Sequence, residues 1–281
     1  MNRRKFVLTT LLLSGTLTSR LFSKSKSQMK IHFLRHATLI LEVNGLRILV
    51  DPMLAAKGAM DPVKITRNTN RIPLTDLSIT DDQLKKELET IDAVIVSHTH
   101  RDHWDDKARE LLNKKISIIC QPTDVDALKG QAFENLLPVD SSIEFKGLKI
   151  YRTDGQHGTG EIGLKMGNVS GFVIEYKKEK IYIAGDTIWC SEVEQALNTH
   201  KPNITVVNAG AAQFDQGDPI TMTAEDVVKV CQTLPSTKVI VVHMETINHC
   251  DLTREQLQKI LTTNKVQKQC LIPKDGEWVS L

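Results

Sequence analysis

The stretch VIVSHTHRDHWDD, Val94 to Asp106, sets three histidines and three aspartates behind a short apolar run. Ala93–Val96 reads as a buried strand, and the residues from Asp105 to about Leu112 read as a helix. The titratable side chains therefore fall where a strand ends and the chain turns. Side chains alternate along an extended segment, so His98 and His100 lie on the same side and can share one metal ion. Asp102 and His103 come where the chain bends into the helix and can reach a second ion. H-x-H-x-D-H is thus a natural two-metal platform; a solvated His/Asp loop is the other reading of the motif alone.

Three further residues repeat the placement. His157 lies in TDGQHGTG, after a strand that ends near Arg152; Asp186 closes IYIAGD; His243 closes KVIVVH. Each stands at or just past the C-terminal end of an apolar run, and on one edge of a sandwich such ends can converge. A lone buried histidine is more often a satisfied structural residue than a ligand. Three such placements added to the opening cluster point to a metal site.

Outward from these residues the chain alternates in a regular way. Thr38–Val43 and Leu46–Val50 read as a hairpin through Asn44-Gly45. Thr80 with Gln83 makes a capping box for a helix, and Ile116–Ile119 is a predicted strand. Hairpins recur at Ser142–Phe145 with Leu148–Arg152 and at Gly171–Tyr176 with Lys180–Ala184. Strands at Ile204–Val207 and Val239–Val242 then alternate with helices capped by Ser191 with Glu194, Thr223 with Asp226 and Thr253 with Gln256. A last strand pair is predicted to turn at Asp275-Gly276. Hairpins followed by strand–helix alternation, seen twice, predict an α/β fold, a four-layer αββα sandwich of two similar halves within one domain over residues 29–281. The long segment 55–78 has no clear period and reads as a lid or substrate loop, and NAGAAQFDQGDP, 208–219, reads as a second rim loop.

The 281 residues are 25% charged and 41% hydrophobic, ordinary for a globular protein, and a net charge of +2 excludes a general nucleic-acid binder. No internal run approaches the roughly 20 apolar residues of a spanning helix. The start, MNRRKFVLTTLLLSGTLTSR, has the layout of an export leader over residues 1–28, and Arg3-Arg4 followed by Lys5-Phe6 resembles a twin-arginine signal. The expectation is a periplasmic or exported protein; an N-terminal tail on a cytoplasmic protein is the alternative. Five cysteines without a C-x-x-C argue against a disulfide framework or a cysteine zinc knuckle.

Taken together, Asp51-Pro52, SHTHRDH, QHG, AGDT and VVHME resemble the metallo-β-lactamase superfamily over almost the whole chain after residue 28. RHATLILEVNGLRILVDPML further resembles the branch that contains ascorbate-6-phosphate lactonase and the phosphodiesterases cleaving N-acyl phosphatidylethanolamine. That branch usually has glycine before the histidine of its HAT element, where this chain has Arg35. The resemblance implies that His98, His100 and His157 bind a first divalent ion, that Asp102, His103 and His243 bind a second, and that Asp186 bridges them. An imidazole and carboxylate set suits zinc, and also manganese or iron. Asp51 is implied as a carboxylate that fixes a ligand histidine's tautomer.

The expected activity is hydrolysis of a small ester-like substrate, a lactone or phosphodiester, by a hydroxide held between two ions about 3.5–4 Å apart. Asp102 and Asp186 are the expected catalytic carboxylates, Asp102 carrying a proton to the leaving group. His36 is a candidate for contact with substrate, and Glu245 and His249 for support around the ligands. Trp104 and Trp189 read as core or wall, and His32 and His200 carry no motif. Lys57, Lys64, Arg67 and Arg71 against Asp61 and Asp76 suit an anionic substrate, and equally a solvated loop. Two other classes compete: a non-catalytic metal-binding module, and a flavin-linked diiron oxidoreductase of the same fold, which normally carries glutamate where this chain has His100.

Overall fold

The computed structural model describes residues 29–280, and the expected export leader lies outside the described residues. The first half runs β1 (Met29–Arg35), β2 (Thr38–Val43), β3 (Leu46–Val50), α1 (Asp81–Glu89), β4 (Ala93–Val96), α2 (Asp106–Leu111), β5 (Ser117–Cys120), α3 (Val125–Gly130) and β6 (Asn135–Pro138). The second runs β7 (Ser142–Phe145), β8 (Leu148–Asp154), α4 (Gly160–Met166), β9 (Ser170–Tyr176), β10 (Glu179–Ile183), α5 (Ser191–His200), β11 (Ile204–Asn208), α6 (Ala224–Thr233), β12 (Lys238–Val242), α7 (Arg254–Thr263), β13 (Cys270–Leu271) and β14 (Trp278–Ser280).

Two seven-stranded sheets result, ordered β14-β1-β2-β3-β4-β5-β6 and β13-β12-β11-β10-β9-β8-β7. In each, antiparallel strands give way to parallel ones, β3 through β6 and β10 through β13. Parallel neighbours need a crossover, and a helix supplies each one. The tightest hairpins turn on residues in the left-handed region, Asn44 and Gly45 at φ 53° and 78°, Lys146 and Gly147 at 46° and 82°.

Strand alternation builds the layers. In β4, Ile95 faces the other sheet, where it joins Ile48, Val50, Phe172, Ile183 and Val206 in the central core. Its neighbours Val94 and Val96 face outward and pack with Leu84, Ala108 and Leu128 of the first half's helices. The second sheet does the same with Tyr182, Val207 and Val241 against Val193, Val227, Leu257 and Leu261. Each sheet is thus covered on both faces, which gives the predicted αββα sandwich.

Two local expectations are corrected. The strands on either side of Asp275-Gly276 do not pair with each other: β13 lies beside β12, whereas β14 crosses to the first sheet and pairs antiparallel with β1. The local turn is real, but both partners had other strand edges to satisfy. Ser191 is not the cap of α5; Cys190 occupies that position without a side-chain capping bond, its sulfur lying 3.4 Å from Thr187 Oγ1, and the Ser191 hydroxyl reaches Glu192 instead. The boxes at Thr80, Thr223 and Thr253 all form. Among the described residues no helix is long and apolar enough to cross a membrane.

Candidate metal centre

Strand ends of both halves meet at one edge of the sandwich. Asp51 follows β3, His98 follows β4, His157 follows β8, Asp186 follows β10 and His243 follows β12. Close passage of the chain there demands small residues and unusual backbone. Gly185, at φ 70°, carries Asp186; a Cβ on it would stand 2.6 Å from the Ser170 carbonyl oxygen. Asp51 and His243 adopt φ of 43° and 64°, left-handed values that non-glycine residues rarely hold and that cluster at functional sites.

The side chains form one cluster. Candidate ligand atoms of His98, His100 and His157 lie within 4.8 Å of one another, as do those of His36, Asp102, His103 and His243, and those of His98, His103 and Asp186. Asp186 joins the groups. Its Oδ1 accepts from the Asn208 amide at 2.7 Å, while Oδ2 stands 3.1 Å from His103 Nε2, 3.3 Å from His243 Nε2 and 3.6 Å from His157 Nε2. Asp102 Oδ2 faces Nε2 of His36, His243 and His103 at 3.2, 3.4 and 3.6 Å.

Partners on the far nitrogen set how each imidazole is aimed. Ser97 donates from its backbone N–H to Asp51 Oδ1 and from its hydroxyl to Oδ2, both at 2.7 Å, so its Oγ accepts from His98 Nδ1 at 3.0 Å. His103 Nδ1 donates to Asp51 Oδ2 at 2.9 Å, and His157 Nδ1 to the Ile220 carbonyl at 2.8 Å. His243 Nδ1 lies 3.6 Å from Cys250 Sγ. The Nε2 atoms of His98, His103 and His243 are buried without a hydrogen bond. Buried polar atoms are seldom left so; their convergence beside two carboxylates is the donor set that a divalent cation fits. His98, His100, His157, Asp102, His103, His243 and Asp186 can all take part.

Electrostatics without a cation say the same. Burial pushes the Asp186 carboxyl up, and His103 and His243 more than reverse it, holding it well below the ordinary carboxylate value. Asp102 behaves alike under burial opposed by His103, His243 and His36. Burial lowers His103, but Asp186, Asp102 and Asp51 outweigh it and raise it to about 10, and His243 is raised well above its usual value against burial by Asp186 and Cys250. Burial keeps His98 and His157 neutral, lowers His36 to about 3 and His249 to about 4.

A pH response of the metal-free protein follows. The unfolded chain protonates its histidines below about pH 6.5, where folded His36, His98, His157 and His249 refuse protons, so stability falls as pH drops below that value. Folded Asp102 and Asp186 lose their contribution on the same acid side. His103 gives stability that is complete below about pH 6.5 and fades as pH rises through about 10. The chelated protein is therefore expected to melt highest near pH 6–7, measured by calorimetry across pH 4–10. A melting temperature still climbing from pH 8 to 10 would contradict these charge states.

Of the remaining candidates, Asp51 sits 1% exposed under the cluster, bonded to both Ser97 and His103. Asp51→Ala is expected to weaken metal affinity about 10–100-fold, measured by competition with a chromophoric chelator; unchanged affinity would remove its orienting role. His36 is fully buried beside Asp102 and His243, its carbonyl accepting from His243 N–H at 2.9 Å, and it does not line the cavity. Glu245 turns away and caps α7 through Arg254. His249 lines the cavity and stacks on Phe214 with centroids 5.7 Å apart. Trp104 is core, Trp189 packs on the outer helices, His32 stacks on Trp278, and His200 meets the Tyr151 ring at a tilt.

The cavity over the cluster measures about 430 Å³. His100, Asp102, His157 and Asp186 form its floor; Pro62, Val63, Met166, Phe214 and Ile220 give apolar walls, with Asp61, Lys64, Arg101 and His249 among them. Both expected loops reach it. The segment 55–78 is tied down: Asn248 bonds the Val63 backbone, Thr66 and the Asn68 carbonyl, and Arg71 pairs with Asp61 and the carbonyls of Gly58 and Ala59. Asn208 and Ser97 were missed from the sequence. Asn208 ends the apolar run of β11, the same signal that marks Asp186 and His243, whereas Ser97 carries no signal of its own.

A sandwich whose paired halves bring imidazoles and carboxylates to a shared edge defines a metal-dependent hydrolase of the metallo-β-lactamase superfamily. Residues 46–244 match the model of the beta-lactamase superfamily domain, Lactamase_B_2. The UPF0173 protein YddR of Bacillus subtilis is 37% identical over 254 residues, 89% of this chain and 98% of that protein. A solved isothiocyanate hydrolase from Delia radicum gut bacteria superposes with a TM-score of 0.84 at 37% identity, over 90% of this chain and 100% of that one. A "possible metal-dependent hydrolase" from Veillonella parvula superposes with a TM-score of 0.86 at 32% identity, over 91% and 100%. The chain belongs to the UPF0173 family of metal-dependent hydrolases.

Proposed function

We propose that His98, His100 and His157 hold one divalent cation, that Asp102, His103 and His243 hold a second, and that Asp186 stands between them. When bound, such ions supply Lewis acidity toward a substrate atom and lower the pKa of water; zinc suits the donors best, with manganese or iron also compatible. Asp102 lines the cavity as a carboxylate, so it orients the attacking water and takes its proton, with His36 Nε2 fixing the oxygen from the opposite side. His249 and Phe214 narrow the mouth against bulk solvent.

The substrate proposed is a small, uncharged electrophile with an apolar group, an isothiocyanate being the leading class. Water adds to the central carbon of R–N=C=S, and the thiocarbamate then divides into R–NH2 and carbonyl sulfide. The carrying observation is the apolar wall of Val63, Met166, Phe214 and Ile220 directly over the cluster. Likeness to the isothiocyanate hydrolase supports the same choice. Lys64 and Arg101 at the cavity favour a second reading, a lactone or phosphodiester bearing negative charge. Purified protein with measured metal content should be assayed on aryl and alkyl isothiocyanates, lactones and phosphodiesters. Amine release abolished by chelation supports the proposal; turnover confined to the anionic esters overturns it in favour of the second reading.

A further inference from the structure

On the far flank of the second sheet, away from the cluster, two cysteines face each other. Cys231 lies on α6 and Cys270 on β13, and their sulfur atoms are 3.1 Å apart. Cys231 is 1% exposed and Cys270 is partly exposed, and each is a free thiol. Two unbonded sulfurs prefer more room; a disulfide needs about 2.05 Å, so closure asks for a shift of about 1 Å. The surroundings hold the pair in register. Gln269 donates to the Cys231 and Leu234 carbonyls at 3.2 and 3.0 Å, and the Gln269 carbonyl accepts from Val239 N–H at 3.0 Å.

We propose that Cys231 and Cys270 form a reversible disulfide that staples the edge strand β13 to α6. The oxidant is a disulfide donor such as oxidised glutathione or a dithiol oxidase. Cys270, the partly exposed thiol, attacks a donor sulfur as its proton passes to Cys231 across the 3.1 Å contact; the donor S–S bond breaks, one donor group takes that proton and leaves as a thiol, and a mixed disulfide remains on Cys270. Cys231 then attacks the Cys270 sulfur and expels the second donor thiol. The pair loses two electrons and two protons, and the donor gains them. The hydrogen bond from Cys270 favours the Cys231 thiolate, which suits the resolving role.

The staple has a mechanical reason. β13 has two residues in register with β12 and is the outermost strand of its sheet, so it is the first part expected to fray. Cys270 pairs with Val239 at the start of β12, whereas His243 follows the other end of that strand, so closure tightens the flank and leaves the cluster alone. Cys120 and Cys190 are buried elsewhere and Cys250 stands beside His243, which leaves this the close cysteine pair among the described residues.

The test uses the full-length protein, equilibrated with reduced or oxidised glutathione and analysed by intact mass, non-reducing peptide mapping and thermal melting. The expected result is loss of about 2 Da, a cross-linked peptide joining residues 231 and 270, and a melting temperature about 5–10 °C higher on oxidation. Turnover should be unchanged within twofold. Cys270→Ser, at the partly exposed position, and Cys231→Ala should each remove both cross-link and shift, while Cys120→Ala should retain them. All five thiols remaining free after oxidation overturns the proposal. So does a cross-link at other cysteines, or a closed bond with no change in melting.

Discussion

Asp186→Asn is expected to yield a folded protein that loses bound metal and at least about 10³-fold in turnover, as follows from removing a charge interaction worth several kcal/mol at the reacting centre. The size of the effect comes from how both oxygens are used. Oδ1 accepts from Asn208, and Oδ2 faces three imidazole nitrogens drawn from both halves. An amide cannot serve both sides. If its oxygen faces the histidines, its N–H groups oppose the Asn208 amide; if it faces Asn208, they point at the atoms that would ligate metal. The check is metal content and turnover on one preparation, with circular dichroism to confirm folding. Full metal occupancy together with full turnover would exclude Asp186 from the centre.

Arg35→Met is expected to cost about 3–5 kcal/mol of stability, the largest loss foreseen for a residue outside the cluster. Arg35 is 0% exposed and donates to the carbonyls of Met53 and Ala55 at 2.8 and 2.9 Å and of Thr75 at 2.9 Å. Burial lowers the guanidinium to about 10, with Asp105 opposing, so it stays charged at neutral pH. Methionine fills similar volume but leaves three carbonyls unpaired, and it releases both ends of the segment 55–78 whose middle forms the cavity rim. Urea unfolding gives the number; a midpoint that implies a loss under 1 kcal/mol would show that water replaces the guanidinium. The same contacts give arginine a structural task at this position: its side chain organises the following loop.

Most of the frame was legible because it rests on local physics. Asn44-Gly45 and Lys146-Gly147 turn as their φ preferences require, and Thr80, Thr223 and Thr253 cap helices by bonds confined to four residues. The strand-end rule likewise reached the residues that gather at the edge, since a side chain just past a buried strand has nowhere else to go. What escaped depends on distant partners. β1 is buried on both faces apart from Lys30, so it shows no alternation to read. β14 could be placed only by knowing that β1 lacked a neighbour. Glu245 resembles a helper of His243 in sequence, yet its carboxylate is taken by Arg254. Ser97, the link between Asp51 and His98, looks like any serine until the third dimension is present.

The crossing of β14 has a consequence for how the protein is made. Lys30 pairs with Ser280, so the first sheet borrows its outer strand from beyond the second half. On the ribosome, the N-terminal half can gather its own strands while β1 still presents a bare row of backbone donors and acceptors. That row is a template for any passing strand until β14 is made. Pairing strands so far apart in sequence is slow, so a newly made chain is expected to depend on chaperone shielding for longer than its finished stability suggests.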